Sequence, residues 1–268
     1  MSAIDQLFQE LRAAKRKAFM PFVTAGDPDL QFTAEVLQRL ARQGCNLFEV
    51  GIPYSDPVAD GPVIQASYTR ALDRHVKLAD IFATLKQVTP QLAAPVVSML
   101  SYAIVFRHGV ERYVADAQAA GVSGAIVPDL PVEEADVLAE ACRRADFSLI
   151  QLITPTTPRD RALKIAERTT GFIYYVSVTG ITGERSTLSP KVVENVAWLR
   201  EQTPLPICIG FGISRPEHVR MLAPVADGLI VGSAFVRHLA EAATKPREQV
   251  LSEIAAYADE LLAALNAS

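Results

Sequence analysis

Ile207-Cys208-Ile209-Gly210-Phe211-Gly212-Ile213-Ser214-Arg215-Pro216-Glu217 is a short apolar run that breaks at two glycines and opens into a helix start. An apolar run with no polar alternation suits a strand buried on both faces, as in a parallel sheet covered by helices. Ser214 and Glu217 have the spacing of a capping box, with Pro216 in the first turn. The run that follows, 228–231, repeats the design and continues into Val231-Gly232-Ser233-Ala234. Working back toward the N-terminus, six more such runs occupy 18–23, 46–50, 95–99, 124–127, 148–153 and 172–176. Helical spacing fills the intervals. Val36, Leu37, Leu40 and Ala41 form one apolar face that Gly44 ends, and Thr157-Pro158 and Ser189-Pro190 each set a hydroxyl before a proline. Eight strand–helix alternations predict a closed (β/α)8 barrel of the TIM type rather than an open doubly wound sheet. Two helices are additions to that pattern, one over 2–14 and an extended one over 247–265.

Composition narrows the class. A chain of 268 residues suffices for one barrel, and no linker, low-complexity tract or shift in composition divides it, so one domain over 1–268 is expected. The net charge is −4 with acids and bases interspersed. There is no basic stripe with aromatics, which argues against nucleic acid as a partner. No apolar run is long enough to cross a bilayer, and the first residues lack a secretory pattern, so a cytoplasmic protein without membrane association is expected. Cys45, Cys142 and Cys208 are odd in number and widely spaced, and read as buried thiols in a reducing compartment. His75, His108, His218 and His238 are scattered, so no metal site is expected.

In such barrels the chemistry lies at the C-terminal ends of the strands. The loops after the seventh and eighth runs are the fold's usual phosphate cradle, and here they carry Gly212, Gly232 and Ser233 at helix starts. The loop 177–186 has two glycines with hydroxyls between them and suits a flap. In Leu47-Phe48-Glu49-Val50-Gly51, Glu49 shares an alternating face with Leu47 and Gly51. If that face is the interior, burial would raise the pKa of Glu49 and make it an acid and base near neutrality. Asp60 follows in a loop that could return over the mouth. Two other readings stay open here: Glu49 as a buried partner of an arginine, and Asp60 as a helix cap before Pro62. No lysine lies in any of the eight runs, so a Schiff base is not expected there. A substrate cleaved or isomerised here would have to supply its own electron sink.

The stretch Phe48-Glu49-Val50-Gly51-Ile52-Pro53-Tyr54-Ser55-Asp56-Pro57-Val58-Ala59-Asp60-Gly61-Pro62 resembles the signature of the tryptophan synthase α chain family. Pro21-Phe22-Val23-Thr24-Ala25-Gly26-Asp27-Pro28, Pro128-Asp129-Leu130-Pro131-Val132-Glu133-Glu134, Thr179-Gly180-Ile181-Thr182-Gly183 and Gly210-Phe211-Gly212-Ile213-Ser214 extend the likeness over nearly the whole chain. The resemblance implies a TIM barrel that cleaves indole-3-glycerol phosphate to indole and glyceraldehyde 3-phosphate, with the indole ring as electron sink. It implies Glu49 as acid and base, Asp60 at the indole N–H, and Tyr174 and Thr182 in support. It also implies Gly183, Gly212, Gly232 and Ser233 at the phosphate, and Phe22, Ala59, Leu100 and Phe211 around the indole. It implies no cofactor in this chain, pyridoxal phosphate belonging to a partner β chain in an α2β2 assembly. Pro53, Asp56, Asp129 and Pro131 match the loops that dock on that partner. The sequence departs from the family at Tyr102-Ala103-Ile104-Val105-Phe106, where an Asn shortly after the Tyr is missing and the loop is one residue shorter. It departs also at Phe48, which replaces a smaller aliphatic residue and should face the helices. Rival readings are a free-standing lyase, a non-catalytic activating subunit and, less compatible with the signature, a sugar-phosphate isomerase.

Overall fold

The computed structural model describes residues 1–58, 60–176, 190–210 and 212–267. In chain order its elements are α1 (Ala3–Ala13), β1 (Ala18–Thr24), α2 (Leu30–Arg42), β2 (Phe48–Gly51), α3 (Pro62–Asp73) and α4 (Leu78–Val88). Then come β3 (Val96–Met99), α5 (Tyr102–His108), α6 (Val110–Ala119), β4 (Val122–Ile126), α7 (Asp136–Arg144), β5 (Ser148–Ile150) and β6 (Leu152–Ile153). The chain ends with α8 (Arg159–Arg168), β7 (Ile173–Val176), α9 (Pro190–Gln202), β8 (Ile207–Gly210), α10 (Pro216–Leu222), β9 (Gly228–Val231), α11 (Ser233–Ala240) and α12 (Arg247–Asn266).

All the strand pairings are parallel, in the order β5-β4-β3-β2-β1-β9-β8-β7-β6. The two ends of that order, β5 and β6, are pieces of one run separated only by Gln151. The sheet therefore closes on itself, and the nine strands are the eight expected runs with the fifth divided. At the division the chain passes from one neighbour to the other. Ile150 pairs with β4, while the Gln151 carbonyl accepts from the Tyr174 N–H at 3.1 Å.

The alternation of side chains sorts the core into two clusters. Phe22, Leu47, Val97, Ile126, Ile150, Cys208 and Ile230 point inward and pack together. Their neighbours Val23, Phe48, Val96, Leu149, Ile207 and Leu229 point outward beneath the helices. Phe48 is thus on the helix side, as its place in the sequence predicts. Cys45, Cys142 and Cys208 are buried free thiols, also as expected.

The N-terminal addition closes one end of the barrel. Ser2 and Asp5 form a capping box on α1, with bonds of 3.2 and 3.0 Å. Ile4, Phe8 and Leu11 then enter the interior cluster, and the Phe8 and Phe172 rings lie 5.8 Å apart. Each such side chain contributes about 2 kcal/mol by burial. The C-terminal addition, α12, packs outside on α2, α10 and α11.

Two expected caps do not form. α10 starts at Pro216 without a side-chain cap, because the Ser214 segment is committed elsewhere. The Ser214 N–H donates to His218 Nδ1 at 3.3 Å, and its carbonyl accepts from Tyr257 on α12 at 3.0 Å. Glu217 turns outward to Arg220. α8 likewise starts after Pro158 uncapped, because the Thr157 hydroxyl accepts from the Thr154 N–H at 3.0 Å within its own turn. Ser189 lies outside the described residues. No described helix is long and apolar enough to cross a membrane.

Candidate active site

With α1 across the other end, the open mouth is at the C-terminal ends of the strands. Glu49 sits there on β2, in register with Phe22 of β1 and Val97 of β3, both interior residues. Its exposure is 1%. One carboxylate oxygen, Oε1, has no hydrogen-bond partner among the described residues, and no arginine pairs with it. The open reading of a structural ion pair is therefore set aside. Burial, and then the charge of Asp60, raise the Glu49 pKa from 4.5 to about 8.

Asp60 returns over the mouth in the loop between β2 and α3. It is not the cap of α3, whose flanking residue is Gly61 with no side-chain bond. The loop is fixed through the Asp60 backbone instead. Its N–H donates to the Pro57 carbonyl at 3.0 Å, and its carbonyl accepts from Gln65 Nε2 at 2.8 Å. The carboxylate is buried and accepts a long bond, 3.5 Å, from the Tyr54 hydroxyl. Burial raises the Asp60 pKa from 3.8 to about 6, against the opposing effect of that bond. The two carboxyls are thus set apart: near neutrality Asp60 is ionised and Glu49 protonated.

Tyrosines complete the wall. Tyr174 on β7 is interior, with its hydroxyl over β8: a methyl group on Gly210 would lie 2.5 Å from it. Gly51 has a matching position, since a methyl there would lie 2.7 Å from the Tyr68 hydroxyl and would run into the Phe22 ring. Only glycine lets these side chains cross the strand end. Tyr54 and Tyr68 stack at 5.4 Å between ring centroids. Neither was singled out in the sequence. The available signal was Ile64, Tyr68 and Ala71, an i, i+4, i+7 buried face with one hydroxyl in it.

The expected phosphate residues fall on adjoining strands. Gly212 follows β8 with φ +77°, a conformation that favours glycine. Gly232 follows β9, and Ser233 opens α11, which has no side-chain cap. Its first-turn N–H groups are thus left for an anion. β9 pairs with β1 and β1 with β2, so the Phe22 strand lies between this cradle and Glu49. At one strand spacing per step the distance is roughly 10 Å.

Other expected residues are placed as follows. Leu100 is fully buried just past β3 but packs in the outer cluster, the inward residues of β3 being Val97 and Met99. Pro53 is buried in the segment after β2, whereas Asp56 and Pro131 are exposed on mouth loops. Asp129 braces the start of α5, accepting from the Ser101 hydroxyl at 2.6 Å and the Tyr102 N–H at 2.8 Å. Thr182, Gly183, Ala59, Phe211 and the flap 177–186 lie outside the described residues.

A family model described as tryptophan synthase alpha chain matches residues 8–266. The chain belongs to this family. A tryptophan synthase alpha chain from Rhodopirellula baltica is 54% identical, covering 97% of this chain and 95% of that one. One from Rippkaea orientalis is 46% identical, covering 99% and 98%. Among solved structures, tryptophan synthase subunit alpha from Legionella pneumophila superposes with a TM-score of 0.90 at 31% identity, covering all of both chains. A chain of Mycobacterium tuberculosis tryptophan synthase superposes with a TM-score of 0.88 at 31% identity, covering 98% of each. Family membership makes the chain a lyase on a TIM barrel.

Proposed function

We propose that the chain cleaves indole-3-glycerol phosphate to indole and glyceraldehyde 3-phosphate, as the α chain of a tryptophan synthase. The observation that carries this reading is Glu49: a carboxyl inside the barrel with an unpartnered oxygen, beside Asp60 and across β1 from the glycine cradle. The substrate phosphate sits on the Gly212, Gly232 and Ser233 backbone, and the indole ring lies in the interior beside Phe22.

Protonated Glu49 delivers its proton to indole C3, and ionised Asp60 accepts the indole N–H and stabilises the positive ring. The pair of electrons in the bond from C3 to the side chain flows into the ring, restoring indole. The hydroxyl on the departing carbon becomes the aldehyde, and its proton returns to Glu49. No atom is gained or lost, and the ring serves as the electron sink, so no cofactor enters the chain's own half of the reaction. Two carboxyls with separated pKa values suit this division of labour.

The mouth also suits a partner. Asp56 and Pro131 are exposed there, with Val58 at 86% and Phe106 at 72% exposure on neighbouring segments. We assign this face to the β chain, which would carry pyridoxal phosphate and receive indole.

The test is turnover of indole-3-glycerol phosphate by the purified chain, with and without a β chain, following glyceraldehyde 3-phosphate by a coupled dehydrogenase. Slow turnover that rises with the partner is expected. Fast turnover without response would mean a free-standing lyase, and no turnover in either condition would refute the reaction.

A further inference from the structure

Four buried side-chain polar atoms have no hydrogen-bond partner among the described residues: Glu49 Oε1, the Tyr68 hydroxyl, Gln151 Nε2 and Glu241 Oε2. Of these residues, Glu49 and Tyr68 lie together, Tyr68 in the interior cluster with its hydroxyl over Gly51 of the Glu49 strand. Tyr68 is 0% exposed on α3. Its neighbour Ser67 is fully satisfied, 2.6 Å from the Thr24 hydroxyl and 2.7 Å from the Ile64 carbonyl. The Tyr54 hydroxyl reaches Asp60. Of these three hydroxyls, that of Tyr68 alone has no partner among the described residues.

Its position is defined by β2. Gly51 lies two residues beyond Glu49 on the same inward face, roughly 7 Å nearer the mouth. The Tyr68 hydroxyl is held directly over Gly51, beside the Phe22 ring. On its other side Phe22 adjoins the cradle, its Cβ lying 3.9 Å from where a methyl on Gly232 would stand. A substrate chain joining a phosphate at Gly232 to a ring at Glu49 runs along Phe22, whose ring tip lies beside the Tyr68 hydroxyl over Gly51. A buried donor without a partner is costly, and one that faces a ligand's path finds its partner in the ligand.

We propose that Tyr68 is a further catalytic residue of the reaction assigned above, its O–H donating to the hydroxyl oxygen on the carbon released from indole C3. The inference rests on that reaction. As that oxygen surrenders its proton to Glu49 it gains negative character, so the bond from Tyr68 strengthens in the transition state. Tyr68 gives up no proton. Burial holds its pKa well above the usual tyrosine value, which keeps the donor in place throughout the working range.

The experiment is steady-state cleavage by Tyr68→Phe in the full chain with its β chain, beside Tyr113→Phe. Tyr113 is a buried tyrosine of the outer cluster, its hydroxyl 2.6 Å from that of Ser98 and away from the mouth. Tyr68→Phe should lower kcat about tenfold, the size of one net hydrogen bond. KM should stay within about twofold, the pH limits should not move, and affinity for inorganic phosphate should be unchanged. Tyr113→Phe should lower the unfolding midpoint and leave kcat alone. A kcat for Tyr68→Phe within about twofold of the parent, or a loss equal to that of Tyr113→Phe, would overturn the proposal. If the parent itself does not cleave the substrate, the reaction is at fault and the role of Tyr68 falls with it.

Discussion

Replacing Glu49 by Gln should stabilise the fold, and increasingly so as the pH rises. The carboxyl has a pKa of 4.5 when free and about 8 inside the barrel. Between those values the unfolded chain releases the proton and the folded chain keeps it. Each pH unit in that window costs the wild-type fold about 1.4 kcal/mol, because the unfolded state binds fewer protons. The stability from the protonated carboxyl is complete below pH 4.5 and is lost as pH rises toward about 8. Gln has the same shape and does not titrate, and Oε1 has no bond to lose. From pH 5 to pH 7 the unfolding free energy of Glu49→Gln should therefore gain about 2.5 kcal/mol on wild type, the other titrating groups cancelling in the difference. Urea unfolding of both proteins at the two pH values measures it. A difference that is the same at pH 5 and pH 7 would refute the burial argument, and with it the basis for Glu49 as an acid. The same variant should have almost no turnover while still binding inorganic phosphate.

Gly212→Asp should weaken substrate binding at least tenfold, since it puts a side chain at φ +77° and a negative charge beside the anion; an unchanged KM would place the phosphate elsewhere. Arg70→Ala should cost about 3 kcal/mol, read as a lowered urea midpoint. It strips the bidentate partner, at 2.9 and 2.6 Å, from the buried Asp27 that ties the end of β1 to α3. A loss below about 0.5 kcal/mol would mean that water replaces the guanidinium.

The parts of this fold that were legible are those set by a strict period. Leu47, Glu49 and Gly51 against Phe48 and Val50 is a period of two, which sorts β2 into two faces; that the Glu49 face is the interior one comes from the pairing with Phe22 and Val97. The same logic located the eight runs and the glycines at their ends. What escaped depends on contacts distant in sequence. Ser214 and Thr157 carry good capping patterns, but Tyr257 and Thr154 engage their segments first. The break at Gln151 comes from a strand that changes neighbours as the barrel closes. Tyr68 looks like one more helix-face residue until α3 is laid against β2. Asp129 matches a docking loop, yet its carboxylate also holds the start of α5. The segment from Tyr102 forms α5, with Phe106 outward.

In the proposed reaction Asp60 works ionised and Glu49 works protonated. The pH dependence of kcat/KM for indole-3-glycerol phosphate, measured on the purified chain, tests it most directly, because it reports groups of the free enzyme. The profile should rise as Asp60 ionises near its pKa of about 6 and fall as Glu49 loses its proton near about 8. A profile that is flat from pH 5 to pH 9 would contradict the assignment of both carboxyls.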